Sequence, residues 1–176
     1  MVSPPWAGSP LGACVTSMVR SVTVPTFKGG PMTVNVPVVV KGIMGADDAR
    51  AAVNSGADAV VVWNHGGRIL DFNRSALEAL PEVVDAVGSK VPVLLDSGIR
   101  SGGDIVKALA LGAKAVLIGR PVAWGVGAFG ARGVERVYAI LAEEMQRVMT
   151  LTGVARAREV TRAILFRDEA EGLHGL

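Results

Sequence analysis

His65-Gly66-Gly67-Arg68 follows almost directly on the apolar run Ala59-Val60-Val61-Val62. An imidazole titrates near neutrality and is the usual general base there. The two glycines let backbone and ligand approach closely. Arg68 offers a planar fork that matches a carboxylate. Together these types suit proton transfer on a small acid held by its carboxylate. The plainer alternative is a histidine that caps a strand end beside a surface arginine.

A second cluster is Asp96-Ser97-Gly98-Ile99-Arg100-Ser101-Gly102-Gly103-Asp104. It reads as a strand end, a glycine-rich turn and a helix start. Amides at a helix N-terminus bind phosphate, and Arg100 adds charge. Gly119-Arg120-Pro121 ends the next apolar run in the same way. Lys41 closes Val38-Val39-Val40. A cation buried there needs an anionic partner, unless its stem carries the ammonium out to solvent.

The elements that must position these groups alternate in type. β-branched strands begin near residues 37, 59, 91 and 115, and helices are predicted over 46–53, 75–87, 103–111, 133–151 and 155–166. The helix over 75–87 is expected to be interrupted or restarted at Pro81. Continuous apolar strands alternating with helices argue a parallel sheet covered on its faces. Asn54 to Val60 and Leu109 to Val116 are spelled alike, a weak internal repeat of the strand–helix unit. The polar residues Lys41, Asn64-His65, Asp96 and Gly119-Arg120 all fall at strand ends, where ligands bind in such folds.

Bulk properties narrow the classes. The 176 residues suffice for one domain with a sizeable core. Half the residues are apolar, mean hydropathy is +0.42, and the net charge is only +2. Scattered cations and 5% aromatics argue against nucleic acid. No apolar run approaches the roughly 20 residues of a membrane-spanning helix. Cys14 is the single cysteine, which suits a reducing cytoplasm. The run Leu11 to Cys14 lacks the flanks of a cleavable signal. Residues 1–36 hold five of the nine prolines and are expected to be a poorly ordered leader, with short extended pieces at most over 22–24 and 32–36.

The motifs taken in order, PVVVKGI, NHGGRILD, DSGIRSGGDIVKALALGA and IGRP, resemble the FMN-dependent 2-hydroxy-acid oxidase and dehydrogenase family over about residues 37–160. The resemblance implies the C-terminal half, the last four βα units, of a TIM (β/α)8 barrel over 37–176, and FMN as cofactor. It implies oxidation of a 2-hydroxy acid to the 2-oxo acid. Lys41 would lie at the flavin N1/C2 edge, and His65 would take a proton from the substrate. Arg68 would hold the substrate carboxylate, and Asp96 would contact the ribityl chain. Gly98, Arg100, Gly119 and Arg120 would bind the FMN phosphate.

Two residues depart from the family pattern. Trp63 stands where the family has serine, next to the flavin, and its bulk threatens overpacking. Ser97 replaces a glycine, which matters only if that backbone needs φ > 0. The family's first half, with its active-site tyrosines and the aspartate that orients the histidine, has no counterpart in residues 1–36. The expected partners are therefore a second copy or a complementing N-terminal half. The alternatives to a flavoenzyme are a non-catalytic remnant and a half-barrel that binds phosphate or FMN without redox work.

Overall fold

The computed structural model describes residues 36–166. The proline-rich segment, Cys14 and the short extended pieces expected before residue 36 lie outside the described residues. Four strands form one parallel sheet: β1 (Val39–Ile43), β2 (Ala59–Val62), β3 (Val93–Asp96) and β4 (Ala115–Leu117). Their spatial order is β1-β2-β3-β4, each strand beside its successor. A doubly wound sheet reverses order at a switch point, whereas consecutive units of a barrel do not. The four βα units are thus half of a barrel wall.

Among the described residues the helices cover one side of the sheet, where coverage on both faces was expected. Val40, Val60, Val62, Val93 and Leu95 join the core beneath the helices. Side chains alternate along a strand. The register Lys41↔Val61↔Leu94 therefore sets Lys41, Val61, Leu94 and Asp96 on the opposite face. That face would line a barrel's interior.

Helix α1 (Ala46–Asn54) carries Asp47 and Asp48 in its first turn, where the helix dipole favours them. Helix α2 (Ala76–Val87) is capped by Ser75, whose hydroxyl accepts from Glu78 N while Glu78 returns the bond to the cap. It runs unbroken through Pro81, contrary to the expected interruption. Ala79, Leu80, Val83 and Val87 are buried on one stripe around the proline. Packing along that stripe outweighs the backbone hydrogen bond that Pro81 cannot make.

Helix α3 (Gly102–Ala110) opens on a second capping box, Ser101 with Asp104. Helix α4 (Arg120–Leu151) begins thirteen residues before its expected start. Pro121 sits in its first turn, a position that spares the missing N–H. The helix breaks at Phe129 (φ −145°) and Gly130 (φ 58°). Its two arms touch at Gly125 and Gly133, where an added Cβ on Gly133 would lie 1.9 Å from Gly125 O. Glycines at 125, 127 and 130 precede the expected start of the helix, yet Gly125 is contact surface, as is Gly133.

The helix expected over 155–166 is absent. Two short 3-10 turns, Ala157–Glu159 and Arg162–Ile164, stand there instead. Val160 and Thr161 between them are extended, with ψ 122° and 168°. Val160 is buried against Val106 and Ala110 of α3, with Ile164 and Leu165 packed alongside. Anchoring these apolar groups, two of the intervening residues β-branched, outweighs helical propensity.

Candidate active site

The segments that follow β2, β3 and β4 lie on the same rim and, with the start of α2, line one cleft of about 490 Å³. His65, Arg68, Asp96, Gly98, Arg100, Gly119 and Arg120 all line it. Lys41 does not line the cleft but reaches its wall: its Nζ lies 2.6 Å from Asp96 Oδ2. So the expected anionic partner of Lys41 exists, two strands away, on the inner face that both residues share. With side chains 30% and 17% exposed, both groups keep some water.

The loop after β2 is wound tightly. His65, Gly66 and Gly67 all have positive φ, at 58°, 66° and 70°. Two of these positions suit glycine. His65 holds a left-handed conformation that costs a side-chain-bearing residue roughly 1–2 kcal/mol. The turn is held by Asn64, whose Oδ1 accepts from Gly66 N at 3.0 Å. Its Nδ2 donates to Arg74 O at 3.3 Å. From the far side, Arg120 Nη2 donates to Gly66 O at 2.7 Å.

The loop is tied to its surroundings through Arg74. This guanidinium pairs with Glu82 of α2 at 2.7 Å and donates to Met44 O. Glu82 also accepts from Ala46 N at 2.8 Å. That backbone bond, and then Arg74, hold the Glu82 carboxyl below the usual glutamate range.

The His65 imidazole has no hydrogen-bond partner among the described residues. Its contact is Trp63: the rings stack with centroids 3.7 Å apart and planes 29° from parallel. Lys41 Nζ lies 3.8 Å from the centroid of the same indole. A Cβ on Gly42 would meet His65 Cε1 at 3.8 Å, so the imidazole is flanked on that side by bare backbone. Arg68 is exposed and forms no ion pair among the described residues.

The two expected phosphate-binding turns differ. At the start of α3 the amides are taken: Arg100 N and Ser101 N donate to Asp104, and Gly102 N donates to Glu144 of α4 at 2.8 Å. Arg100 donates to Ile99 O and lies 5.4 Å from the Trp124 ring. The start of α4 has no side-chain cap on Gly119, and Arg120 stands beside it. This second turn is the one with free capacity for an anion. Ser97 has φ 92°, and its buried hydroxyl lacks a partner. The condition under which this departure from glycine matters is therefore met.

Arg74, Glu82 and Glu144 escaped the sequence reading, as did the capping bonds of Asn64 and Asp104. The spellings Ser-x-x-Glu at 75 and Ser-x-x-Asp at 101 are legible capping signals. Glu144 gives no such signal, because it arrives from 42 residues away.

A four-strand barrel wall with a histidine, three arginines and a lysine–aspartate pair on its C-terminal rim defines a class, and the comparisons agree with it. The chain belongs to the FMN-dependent dehydrogenase family, whose model matches residues 11–167. It is 53% identical over 134 residues to an L-lactate dehydrogenase of Pseudomonas syringae pv. syringae, covering 76% of this chain and 35% of that protein. It is 52% identical over 130 residues to an L-lactate oxidase of Nostoc sp., covering 74% and 36%. Among solved structures, a mandelate oxidase with 3,3-difluoro-2-hydroxy-3-phenylpropionic acid matches at TM-score 0.70 and 50% identity, covering 73% of this chain and 39% of that one. An (S)-mandelate dehydrogenase described as a monotopic membrane protein matches at TM-score 0.72 and 42% identity, covering 75% and 35%. The chain thus spans little more than a third of the curated relatives it matches.

The cleft can be tested against the cofactor these relatives imply. The phosphate end fits: an uncapped helix start lies beside Arg120, with Arg100 on the same cleft. At the other end of the cleft Trp63 is in contact with both Lys41 and His65.

Proposed function

We propose that this chain carries the cofactor-phosphate and proton-transfer half of an FMN-dependent 2-hydroxy-acid oxidase or dehydrogenase. The observation that supports this most is the convergence of His65, Arg68, Asp96, Arg100 and Arg120 on one cleft from three consecutive strand ends. Bound FMN would supply a two-electron acceptor. The substrate, lactate-like or glycolate-like, loses two electrons and two protons to become the 2-oxo acid.

His65 accepts one of those protons on its imidazole. The absence of a protein hydrogen bond leaves its ring nitrogens available for substrate. Arg68, exposed and unpaired at the mouth of the cleft, binds the substrate carboxylate through its fork. Arg120 and the amides at the start of α4 bind the phosphate, with Arg100 as a second cation. Asp96 would contact the ribityl chain of bound FMN, and Lys41, held by Asp96, would lie at the N1/C2 edge of its ring.

Among the described residues no helix is long and apolar enough to cross a membrane. We place the protein in the cytoplasm on its single cysteine. A second copy or a complementing N-terminal half would complete a barrel wall beside these four units. An inactive remnant remains the contrasting reading, favoured by the indole at the ring end.

The FMN-loaded chain, kept without oxygen, is expected to lose its yellow absorbance on addition of L-lactate or glycolate. His65→Gln is expected to keep bound flavin and lose the bleaching. Unchanged bleaching in that variant would overturn the assignment of the base.

A further inference from the structure

The groups at the ring end form one chain of contacts. Asp96 holds Lys41 at 2.6 Å, Lys41 lies over the Trp63 ring at 3.8 Å, and Trp63 stacks on His65 at 3.7 Å. A carboxylate, an ammonium, an indole and an imidazole thus run from β3 across β1 to the loop after β2. An ammonium near an indole face is attracted by the ring quadrupole. An imidazole stacked on the same indole adds aromatic attraction. The last two contacts depend on the flat electron-rich ring of Trp63, which touches both Lys41 and His65.

We propose that Trp63 is an internal gate: its indole occupies the place of a planar heteroaromatic ligand and must leave before such a ligand reaches Lys41 and His65. The inference rests on the proposed flavin site and adds its regulation. The indole keeps the lysine and the histidine positioned while the site is unfilled, in a loop whose histidine has φ 58°. The same indole weakens binding, because its own contacts with Lys41 and His65 must break first. The phosphate end is built on Gly119 and Arg120, whose bond to this loop goes to Gly66 O and not to the indole.

The test uses the full chain, Trp63→Ser and Trp63→Phe. FMN affinity is read by quenching of flavin fluorescence, and inorganic phosphate is titrated alone as the control. The His65 ring protons are followed by NMR. In the parent chain they are expected to be shifted upfield by the indole. Trp63→Ser is expected to abolish that shift, to tighten FMN about 10-fold, the equivalent of roughly 1.4 kcal/mol, and to leave phosphate affinity unchanged. Trp63→Phe keeps a ring of smaller area and is expected to fall between. Equal or weaker FMN binding by Trp63→Ser, with the NMR shift lost, would overturn the gate and leave the flavin site standing. Phosphate binding without FMN binding in all three proteins would overturn the gate together with the proposed function.

Discussion

Ser97 shows how one residue type can conflict with its backbone. It sits at the end of β3 with φ 92°, and its hydroxyl is buried without a partner. Glycine removes both penalties, because it lacks the Cβ and the hydroxyl. Ser97→Gly is therefore expected to stabilise the chain by about 1 kcal/mol, read as a higher urea midpoint at constant slope. A lower midpoint would mean that the hydroxyl has a partner that outweighs the strain. His65 holds a similar left-handed conformation, but there the strain presents an imidazole to the cleft. The residue types at the site were legible, since a histidine, glycines and arginines after apolar runs announce strand-end chemistry. Their mutual contacts were not. Lys41 meets Asp96, and Trp63 meets His65, through sheet register and loop winding that no spacing in the sequence encodes.

At the level of elements, the strands and three of the helices were legible because apolar β-branched runs and capping residues are local signals. The misreadings arose where distant contacts decide. The glycine-bearing stretch before residue 133 was not assigned to a helix, but Gly125 and Gly133 are where the two arms of α4 meet. Gly102 plays the same part between α3 and α4: a Cβ there would lie 2.1 Å from Met145 N. Backbone cannot yield as a flexible side chain can, so Gly102→Ala is expected to cost about 1–3 kcal/mol by denaturant unfolding. A neutral result would show that α4 can slide. Arg74 and Glu82 join the loop after β2 to α2 and to the turn before α1. The Glu82 carboxyl lies below its ordinary range, so its contribution is full above that range and is lost as pH falls through the lowered value. The stability gap between the parent chain and Glu82→Gln is expected to be widest near pH 6–7 and to close below about pH 4. A gap that widens on acidification would contradict the assignment.

The described residues form an open four-stranded arc with its polar rim at one end. Among the described residues, β1 and β4 each have one unpaired edge, and unpaired edges recruit strands. Val36, Val38 and Val39 are exposed along the first of these edges. Ile69, Leu70 and Phe72 are exposed on the loop beside the cleft. A second copy or a complementing half would cover such surfaces, consistent with a chain spanning about a third of its relatives. What this arc keeps is the end of the site that grips an anion, so anion recognition tests the account most directly. The measurement is the affinity of the chain and of Arg120→Ala for FMN and for riboflavin, which differ only in the phosphate. FMN is expected to bind more tightly than riboflavin, and Arg120→Ala to lose at least about 10-fold for FMN with riboflavin affinity unchanged. Equal affinities for the two flavins, or an equal loss of both in the variant, would contradict it.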